Sequence, residues 1–215
     1  MLTRREALGI ALGYAARNTT IRANPNPRED VWETKPPSEW NPEEIKRITS
    51  DSPWAHAPLV FAVRNEQDRP WSERTPLDFP RADKARGVIG RWESSRAIQD
   101  ALHATSNAGI TKYYVINLAG DTWVRHSLRN RKKLPERLHE IEHFTKLGSQ
   151  ARSILVEHVE EVSRGSSRGI LFYFPRRQPI TPEEGQVRFV TVVDSFRLEV
   201  TFTLKEMHYH GQLAL

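Results

Sequence analysis

The stretch that determines the fold covers residues 187–215 and has the sequence VRFVTVVDSFRLEVTFTLKEMHYHGQLAL. Between residues 196 and 204 an apolar side chain occupies every second position, and polar side chains stand between them. This period of two is typical of a strand with one buried face and one solvated face. Polar pairs at residues 194–195 and 205–206 predict two-residue turns, so the stretch predicts three antiparallel strands in sequence order.

The register of these three strands follows from the two turns. In that register the apolar side chains of all three strands fall on one face of the sheet, and a slip by one residue would expose them. The predicted cross-strand neighbours are Phe202 with Val187 and Tyr209, Val200 with Phe189 and Gly211, and Leu198 with Thr191 and Leu213.

The sequence before this meander predicts a mixture of helices and strands. Residues 88–93 and 111–118 have strand character, and a helix that begins after Ser95 and runs to about Ala104 lies between them. A strand, a helix and a strand in this order predict a parallel, right-handed unit. The predicted fold class is therefore α+β (mixed α/β), with a βαβ-like N-terminal half and a C-terminal antiparallel meander in one domain.

Two helix-start signals recur in the chain. Residues 41–44, Asn-Pro-Glu-Glu, predict a helix with Asn41 at the N-cap and a glutamate that reaches back to it. Residues 181–184, Thr-Pro-Glu-Glu, repeat the signal, and Gly185 limits that helix to about one turn. The remaining predicted elements are a helix over 135–147 and strands over 59–63, 154–159 and 170–174.

Composition excludes several classes of protein and site. The 215 residues include no Cys, which excludes disulfides, thiolate zinc sites and cysteine nucleophiles. No apolar run approaches the roughly 18 residues of a membrane helix, so no transmembrane segment is expected in the mature chain. The net charge is +5, yet the sequence after residue 23 carries only 28 basic and 26 acidic side chains. So small an excess predicts no nucleic-acid partner.

The first 23 residues predict an export signal. Residues 3–8, Thr-Arg-Arg-Glu-Ala-Leu, precede a short uncharged apolar run and resemble a twin-arginine translocation signal, with Ala7 as the departure from its pattern. The resemblance implies a bacterial periplasmic or secreted protein that meets the export machinery through Arg4 and Arg5. The Pro-rich residues 24–38 predict an extended tether, and residues 39–215 predict a single globular domain.

The sharpest chemical motif is the sequence HEIEH at residues 139–143, a match to His-Glu-x-x-His. On a helix, His139 and His143 lie on one face and could ligate zinc, with Glu140 as the general base. A third ligand would come from Glu157, Glu160 or Glu161.

The apolar side chains of the same helix argue against this site. At about 100° per residue, their centre lies roughly 150° from the midpoint of the two histidines. The pair is therefore predicted to face solvent, and no cofactor is expected. A zinc-dependent metallohydrolase is the alternative.

Two further features are candidates for binding. The densest basic segment is a possible anion-binding site. The turn-like sequence around Trp54 and Trp71 makes these side chains candidates for exposed anchors, although the frequent burial of Trp favours a core or loop-anchoring role. The basic segment comprises Arg125, Arg129, Arg131, Lys132 and Lys133.

Several short stretches together resemble a group of uncharacterised exported bacterial proteins. These stretches are WNPEEI at 40–45, SPWA at 52–55, FP at 174–175, PIT at 179–181, LKEM at 204–207 and GQLAL at 211–215. The resemblance implies export and one domain, but no activity. The expected function is thus that of a non-catalytic binding or envelope-associated domain with an envelope or extracellular partner.

Overall fold

The computed structural model describes residues 30–62, 87–103, 111–120, 134–164, 167–193 and 196–215. The helices within these ranges are α1 (Val31–Thr34), α2 (Pro42–Ser50), α3 (Arg96–Ala101) and α4 (Leu134–His143). The strands are β1 (Ala55–His56), β2 (Leu59–Ala62), β3 (Ile89–Trp92), β4 (Tyr113–Ala119), β5 (Lys146–Gly148), β6 (Ser153–Leu155), β7 (His158–Arg164), β8 (Ser167–Pro175), β9 (Gln186–Val193), β10 (Phe196–Thr203), β11 (His208–Tyr209) and β12 (Gln212–Leu213).

Two antiparallel five-stranded sheets form the body of the fold. Sheet A has the order β1-β3-β4-β8-β7, and sheet B has the order β2-β10-β9-β5-β6. Their inner faces pack together, with ring centroids 4.9 Å apart for Phe172 and Phe189 and 5.0 Å apart for Trp92 and Phe202. The predicted α+β class is confirmed in its broad form, with most of the regular structure in strands.

The predicted pairing of the two long C-terminal strands is confirmed. Strands β9 and β10 pair antiparallel, and their apolar partners meet in the predicted register. Residues 194–195, which were predicted to form the turn, lie outside the described residues. The confirmed pairs are Phe202 with Val187, Val200 with Phe189 and Leu198 with Thr191.

The predicted third strand of the meander is wrong. Strands β11 and β12 pair only with each other, and β2 occupies the edge of β10 instead. Residues Leu204–Glu206 form a 3₁₀ turn that takes the chain away from β10 and buries Leu204 and Met207. A strand that is distant in sequence, β2, thus takes the place of the predicted neighbouring strand. The alternation of side chains within residues 187–215 does not reveal this competition.

The outer face of β10 is less solvated than its alternation predicts. Arg197 and Glu199 point away from sheet A but are only 9% and 8% exposed. The two side chains form an ion pair with each other, and the Arg197 guanidinium lies 5.6 Å from the centre of the Phe61 ring on β2. Thr201, which lies two residues after Glu199 on the same face of β10, is exposed.

The predicted parallel βαβ unit is wrong. Strands β3 and β4 are antiparallel neighbours, with Ile89 opposite Ala119 and Trp92 opposite Ile116. The chain turns directly after β3, where the Ser95 amide donates to the Trp92 carbonyl. Helix α3 then packs against α2 and does not cross the sheet to begin a parallel strand.

Both predicted helix-start signals are confirmed. In α2 the Glu44 amide donates to Asn41 Oδ1 at 3.0 Å, and the Asn41 amide donates to Glu44 Oε2 at 2.9 Å. The second signal forms the one-turn 3₁₀ helix Pro182–Glu184, which ends at Gly185 with a φ of 69°. Within the described ranges, no helix combines the length and apolar character needed to cross a membrane.

Helix α4 ends earlier than the sequence predicts. At this end the Thr145 hydroxyl joins the helix to β9: its Oγ1 lies 2.6 Å from both the Ile141 carbonyl oxygen and Thr191 Oγ1. Leu147, predicted to be helical, lies in β5 and pairs with Phe189 of β9. The single strand predicted over 154–159 is divided between β6 in sheet B and β7 in sheet A.

The core extends into the segment predicted to be a tether. Val31 and Trp32 of α1 are buried, so the described part of that segment from residue 30 onwards packs with the sheets. Trp54, a candidate for an exposed anchor, has the alternative core role: it is fully buried, its ring packs edge-on against Trp32 and its Nε1 donates to the Ala214 carbonyl at 2.8 Å. Trp71 lies outside the described residues.

Candidate functional site

Some predicted site residues fall on segments that the structure does not describe. The export-signal residues Arg4 and Arg5 lie there, and so does the basic segment of Arg125, Arg129, Arg131, Lys132 and Lys133. The predictions for both segments therefore stay predictions.

The two histidines of the His-Glu-x-x-His motif lie exposed on α4, as does Glu140. His139 is 86% exposed, and its Nδ1 is 3.3 Å from a carboxylate oxygen of Glu142. The His143 ring packs edge-on against Phe144, with centroids 5.1 Å apart. The motif thus faces solvent on a helix surface.

The proposed third ligands each have another partner. Glu157 accepts a hydrogen bond from the Tyr113 hydroxyl at 2.7 Å, and Glu160 accepts one from Tyr173. Glu161 accepts from Arg168 at 3.1 Å. Across the part of the chain that the structure describes, no three His, Asp or Glu side chains are grouped so that they could hold a metal ion.

A basic cleft on the outer face of sheet B is the strongest candidate site. Its floor is formed by β5, β9 and β10, and one wall is formed by the turn between β5 and β6 together with the 3₁₀ helix Pro182–Glu184. The cleft encloses about 540 Å³. This volume lies in the range of small-ligand sites in proteins.

Alternation along the strands positions the charged side chains of the cleft. Because Val187 and Phe189 face the core, the side chain of Arg188 between them faces outward. The cleft is lined by four cationic side chains and one carboxylate, that of Glu184. The four cations are Lys146, Arg152, Arg188 and Arg197.

Two of these cations are free to meet a ligand. Neither Lys146 nor Arg188 forms an ion pair with another described residue, and both are exposed. Lys146 is opposite Val190 and Gly148 is opposite Arg188, so the two cations are diagonal neighbours on adjacent strands. Diagonal neighbours are about 7–8 Å apart at their Cα atoms, within reach of one ligand for side chains of this length.

The charged groups in the wall of the cleft, Arg152 and Glu184, are paired with each other. Arg152 donates through Nε to Glu184 Oε2 at 3.2 Å, and its Nη1 and Nη2 donate to the carbonyls of Gln178 and Pro179 at 2.9 and 2.5 Å. Ser149 donates to the same Glu184 carboxylate at 2.5 Å.

This bonding keeps Glu184 ionised. Burial by itself would raise the pKa of Glu184, but hydrogen bonds from Arg152 and Ser149, with one from the Thr181 amide, hold the pKa below its ordinary value of 4.5. The carboxylate is thus an acceptor that joins the β5–β6 turn to the 3₁₀ helix. With Glu199 paired to Arg197, the net positive charge of the cleft resides on Lys146 and Arg188.

Neutral hydrogen-bonding groups complete the lining. Five uncharged polar side chains surround the cations, and Val190 is the apolar side chain among the lining residues. The floor also includes Gly148, whose position tolerates no side chain because a Cβ there would lie 2.6 Å from the Arg152 carbonyl oxygen. The five polar residues are Ser149, Gln150, Ser153, Gln186 and Thr201.

A second concavity, of about 520 Å³, has the opposite charge. Two histidines lie in it, and each has a ring nitrogen near a backbone carbonyl: His56 Nε2 is 3.2 Å from the Pro53 oxygen, and His208 Nδ1 is 3.0 Å from the Lys205 oxygen. The carboxylates in its lining belong to Asp30, Glu33, Asp51 and Glu206. An acidic surface of this kind has no feature that specifies a ligand.

A buried polar cluster in sheet A has a structural role. Glu93 is 1% exposed and accepts hydrogen bonds from Arg91 Nε at 2.8 Å and from Asn117 Nδ2 at 3.2 Å. Asn117 packs over Gly169, where a Cβ would lie 2.3 Å from its Oδ1. These contacts join β3, β4 and β8 beneath the outer face of the sheet.

The basic cleft is not predictable from any single stretch of the sequence. Its cations are separated by up to 51 positions in the chain and come from three strands and a turn. The available signal was Arg188, a basic side chain at an outward position between the buried Val187 and Phe189. Comparison of the chain with protein-family models, with curated proteins and with solved structures found no match.

Proposed function

We propose that the protein is a non-catalytic binding protein of the bacterial envelope, periplasmic or secreted, and that it binds an anionic ligand in the basic cleft. The observation that carries the proposal is the placement of Lys146 and Arg188 as diagonal neighbours without ion-pair partners among the described residues. Two unpaired cations above a small, open floor attract a ligand of opposite charge.

The chemistry of the lining supports binding and not catalysis. Its carboxylate, Glu184, has a lowered pKa and is engaged by Arg152 and Ser149, so it is poorly suited to exchange protons near neutral pH. The remaining polar groups are hydroxyls, amides and the cationic side chains. Such groups hold and orient a ligand.

We propose the location in the bacterial envelope together with the binding function. It is supported by the twin-arginine-like pair Arg4 and Arg5 and by the resemblance of the chain to exported bacterial proteins. In the envelope the abundant anions are surface polymers and lipid head groups. No aromatic side chain lines the basic cleft, so it has no platform on which nucleic-acid bases could stack.

The proposal is tested by titrating the protein with dextran sulfate and with uncharged dextran, followed by calorimetry. We expect dextran sulfate to bind, dextran not to bind, and the affinity to fall as salt is raised, because exposed charges are screened within about 8–10 Å at physiological ionic strength. The Lys146→Ala/Arg188→Ala variant should bind about tenfold more weakly or worse.

A matched control removes two exposed lysines outside the cleft, Lys46 and Lys112. The Lys46→Ala/Lys112→Ala variant loses the same formal charge and should bind as the unmodified protein does. Equal weakening in both variants would mean that net charge and not the basic cleft governs binding, and the proposal would then be wrong.

A further inference from the structure

We infer that the ligand of the basic cleft is an anionic carbohydrate, a polymer of sugars that carry carboxylate groups. The inference rests on the proposed function, because it names the class of ligand for the same cleft. It uses a feature that a simple anion does not explain, namely the neutral polar side chains around the two free cations.

The neutral polar groups of the cleft are available to a ligand. Two hydroxyl and two amide side chains of the lining are not needed to fix the wall: Ser153, Thr201, Gln150 and Gln186 have no side-chain hydrogen bond to another described residue. A bare phosphate or sulfate could accept hydrogen bonds from these donors, but it offers no donor to the amide carbonyl oxygens of Gln150 and Gln186. A ligand with many hydroxyls matches them, since each sugar hydroxyl both donates and accepts.

Two of the neutral groups lie in one row with a cation across the sheet. Thr201 lies directly opposite Arg188 in the β9–β10 pairing, and Ser153 lies directly opposite Gly148 in the β5–β6 pairing. One row across the sheet therefore reads hydroxyl, cation, glycine and hydroxyl. The backbone of Arg152 lies over the glycine, so the open part of the row is that of Arg188 and Thr201. A sugar carboxylate at Arg188 would place neighbouring ring hydroxyls beside Thr201.

The lining of the cleft favours this ligand over other polyanions. Because Val190 is the apolar side chain in the lining, an acyl chain has little apolar surface to contact. The absence of aromatic side chains from the lining argues against nucleobases and against stacking of uncharged sugars. Leu155, which is 72% exposed and opposite Lys146, would suit a lipid surface, so lipid vesicles are included in the test.

The test compares five probes by calorimetry or co-sedimentation with the full chain. The probes are an oligomer of galacturonate, a dextran oligomer of the same length, inorganic pyrophosphate, oligothymidylate, and vesicles that contain phosphatidylglycerol. We expect the galacturonate oligomer to bind at least about tenfold more tightly than each other probe, with binding lost in Lys146→Ala/Arg188→Ala.

A second variant isolates recognition of the hydroxyl groups. Thr201→Val with Gln186→Ala keeps both cations and alters exposed positions of the sheet, so folding should be unaffected. We expect this variant to bind galacturonate at least threefold more weakly and to lose less affinity for inorganic pyrophosphate, which has no sugar hydroxyl groups. Unchanged affinity for both ligands would overturn the inference.

The outcomes distinguish the inference from the proposed function. Should pyrophosphate, oligothymidylate or vesicles bind through Lys146 and Arg188 while galacturonate does not, the basic cleft binds an anion but the inferred ligand class is wrong. Should none of the anionic probes, dextran sulfate included, bind through these two residues, the proposed function fails together with the inference.

Discussion

The guanidinium of Arg152 and the carboxylate of Glu184 connect two segments that are 32 residues apart, the β5–β6 turn and the 3₁₀ helix Pro182–Glu184. Both side chains are largely buried, at 19% and 11% exposure. The pair therefore fixes the wall of the basic cleft beside the floor formed by the sheet. Its contribution to stability depends on the ionisation of Glu184.

Replacement of Glu184 by Gln should lower the free energy of unfolding in a pH-dependent way. Because the folded pKa of Glu184 lies below its unfolded value, its carboxylate stabilises the fold above about pH 4.5, and this contribution is lost as pH falls through the folded pKa. At pH 7 we expect a cost of about 1–3 kcal/mol, since Arg152 loses a charged partner. Urea denaturation between pH 3 and pH 7 measures it.

The matched control for this series is Glu206→Gln, which changes an exposed carboxylate outside the wall. Its effect on stability should be small at every pH. A Glu184→Gln cost that is the same at pH 3 as at pH 7 would show that the carboxylate does not act through its charge.

Replacement of Gly90 by Ala should strain the contact between the two sheets. A Cβ at position 90 would lie 2.4 Å from Cγ2 of Val200, so β3 and β10 would have to separate. Overpacking of this kind costs about 1–3 kcal/mol. The free energy of unfolding, measured by urea denaturation, should fall by that amount.

Combination of Gly90→Ala with Val200→Ala tests the cause, because truncation of Val200 removes the atom that the new methyl group would meet. The double variant should be more stable than the sum of the two single effects predicts, by at least about 0.5 kcal/mol. Strictly additive effects would mean that the two positions do not interact.

Replacement of Tyr209 by Phe should loosen the C-terminal hairpin. The Tyr209 hydroxyl donates to Asp100 Oδ2 at 2.9 Å, and burial and this carboxylate raise the pKa of Tyr209 above its ordinary value of 10. Loss of the hydrogen bond should cost about 1 kcal/mol at neutral pH, measured as a lower midpoint of urea denaturation. Phe keeps the ring against Trp40 and Trp54, so Tyr209→Ala should cost clearly more. Equal costs would indicate that ring packing contributes nothing.

Conversion of Arg4 and Arg5 to Lys should abolish export. A twin-arginine signal is recognised through the two guanidinium groups, which lysine does not reproduce although it keeps the charge. The measurement is the fraction of full-length protein in the periplasm and medium of an expressing bacterium, compared with an Arg17→Lys control. Export that persists unchanged in the double variant would contradict the predicted signal.

The parts of the fold that were predictable from sequence are those set by short-range physics. Residues 41–44 and 181–184 satisfy their own backbone donors, and the β9–β10 pairing follows from alternation around one turn. Local signals of this kind do not depend on the rest of the chain, and the structure agrees with them.

The parts that failed depend on competition between distant segments. β2 displaces the predicted third strand at the edge of β10, and helix α3 packs on α2 in place of a parallel crossover. The buried ring of Trp54 likewise needs partners from both ends of the described chain, Trp32 and Ala214. The basic cleft was missed for the same reason, because Lys146 and Arg188 become neighbours only when β5 pairs with β9.

The most direct test of the central claim is hydrogen exchange of the protein with and without dextran sulfate, followed by mass spectrometry of peptides. If the basic cleft binds the anion, exchange should slow in peptides that cover residues 148–153 and 184–188, the walls and floor around Arg188, and the effect should vanish in Lys146→Ala/Arg188→Ala. Protection confined to the basic segment at 125–133, or to the histidines of α4, would contradict the claim and place the binding site elsewhere.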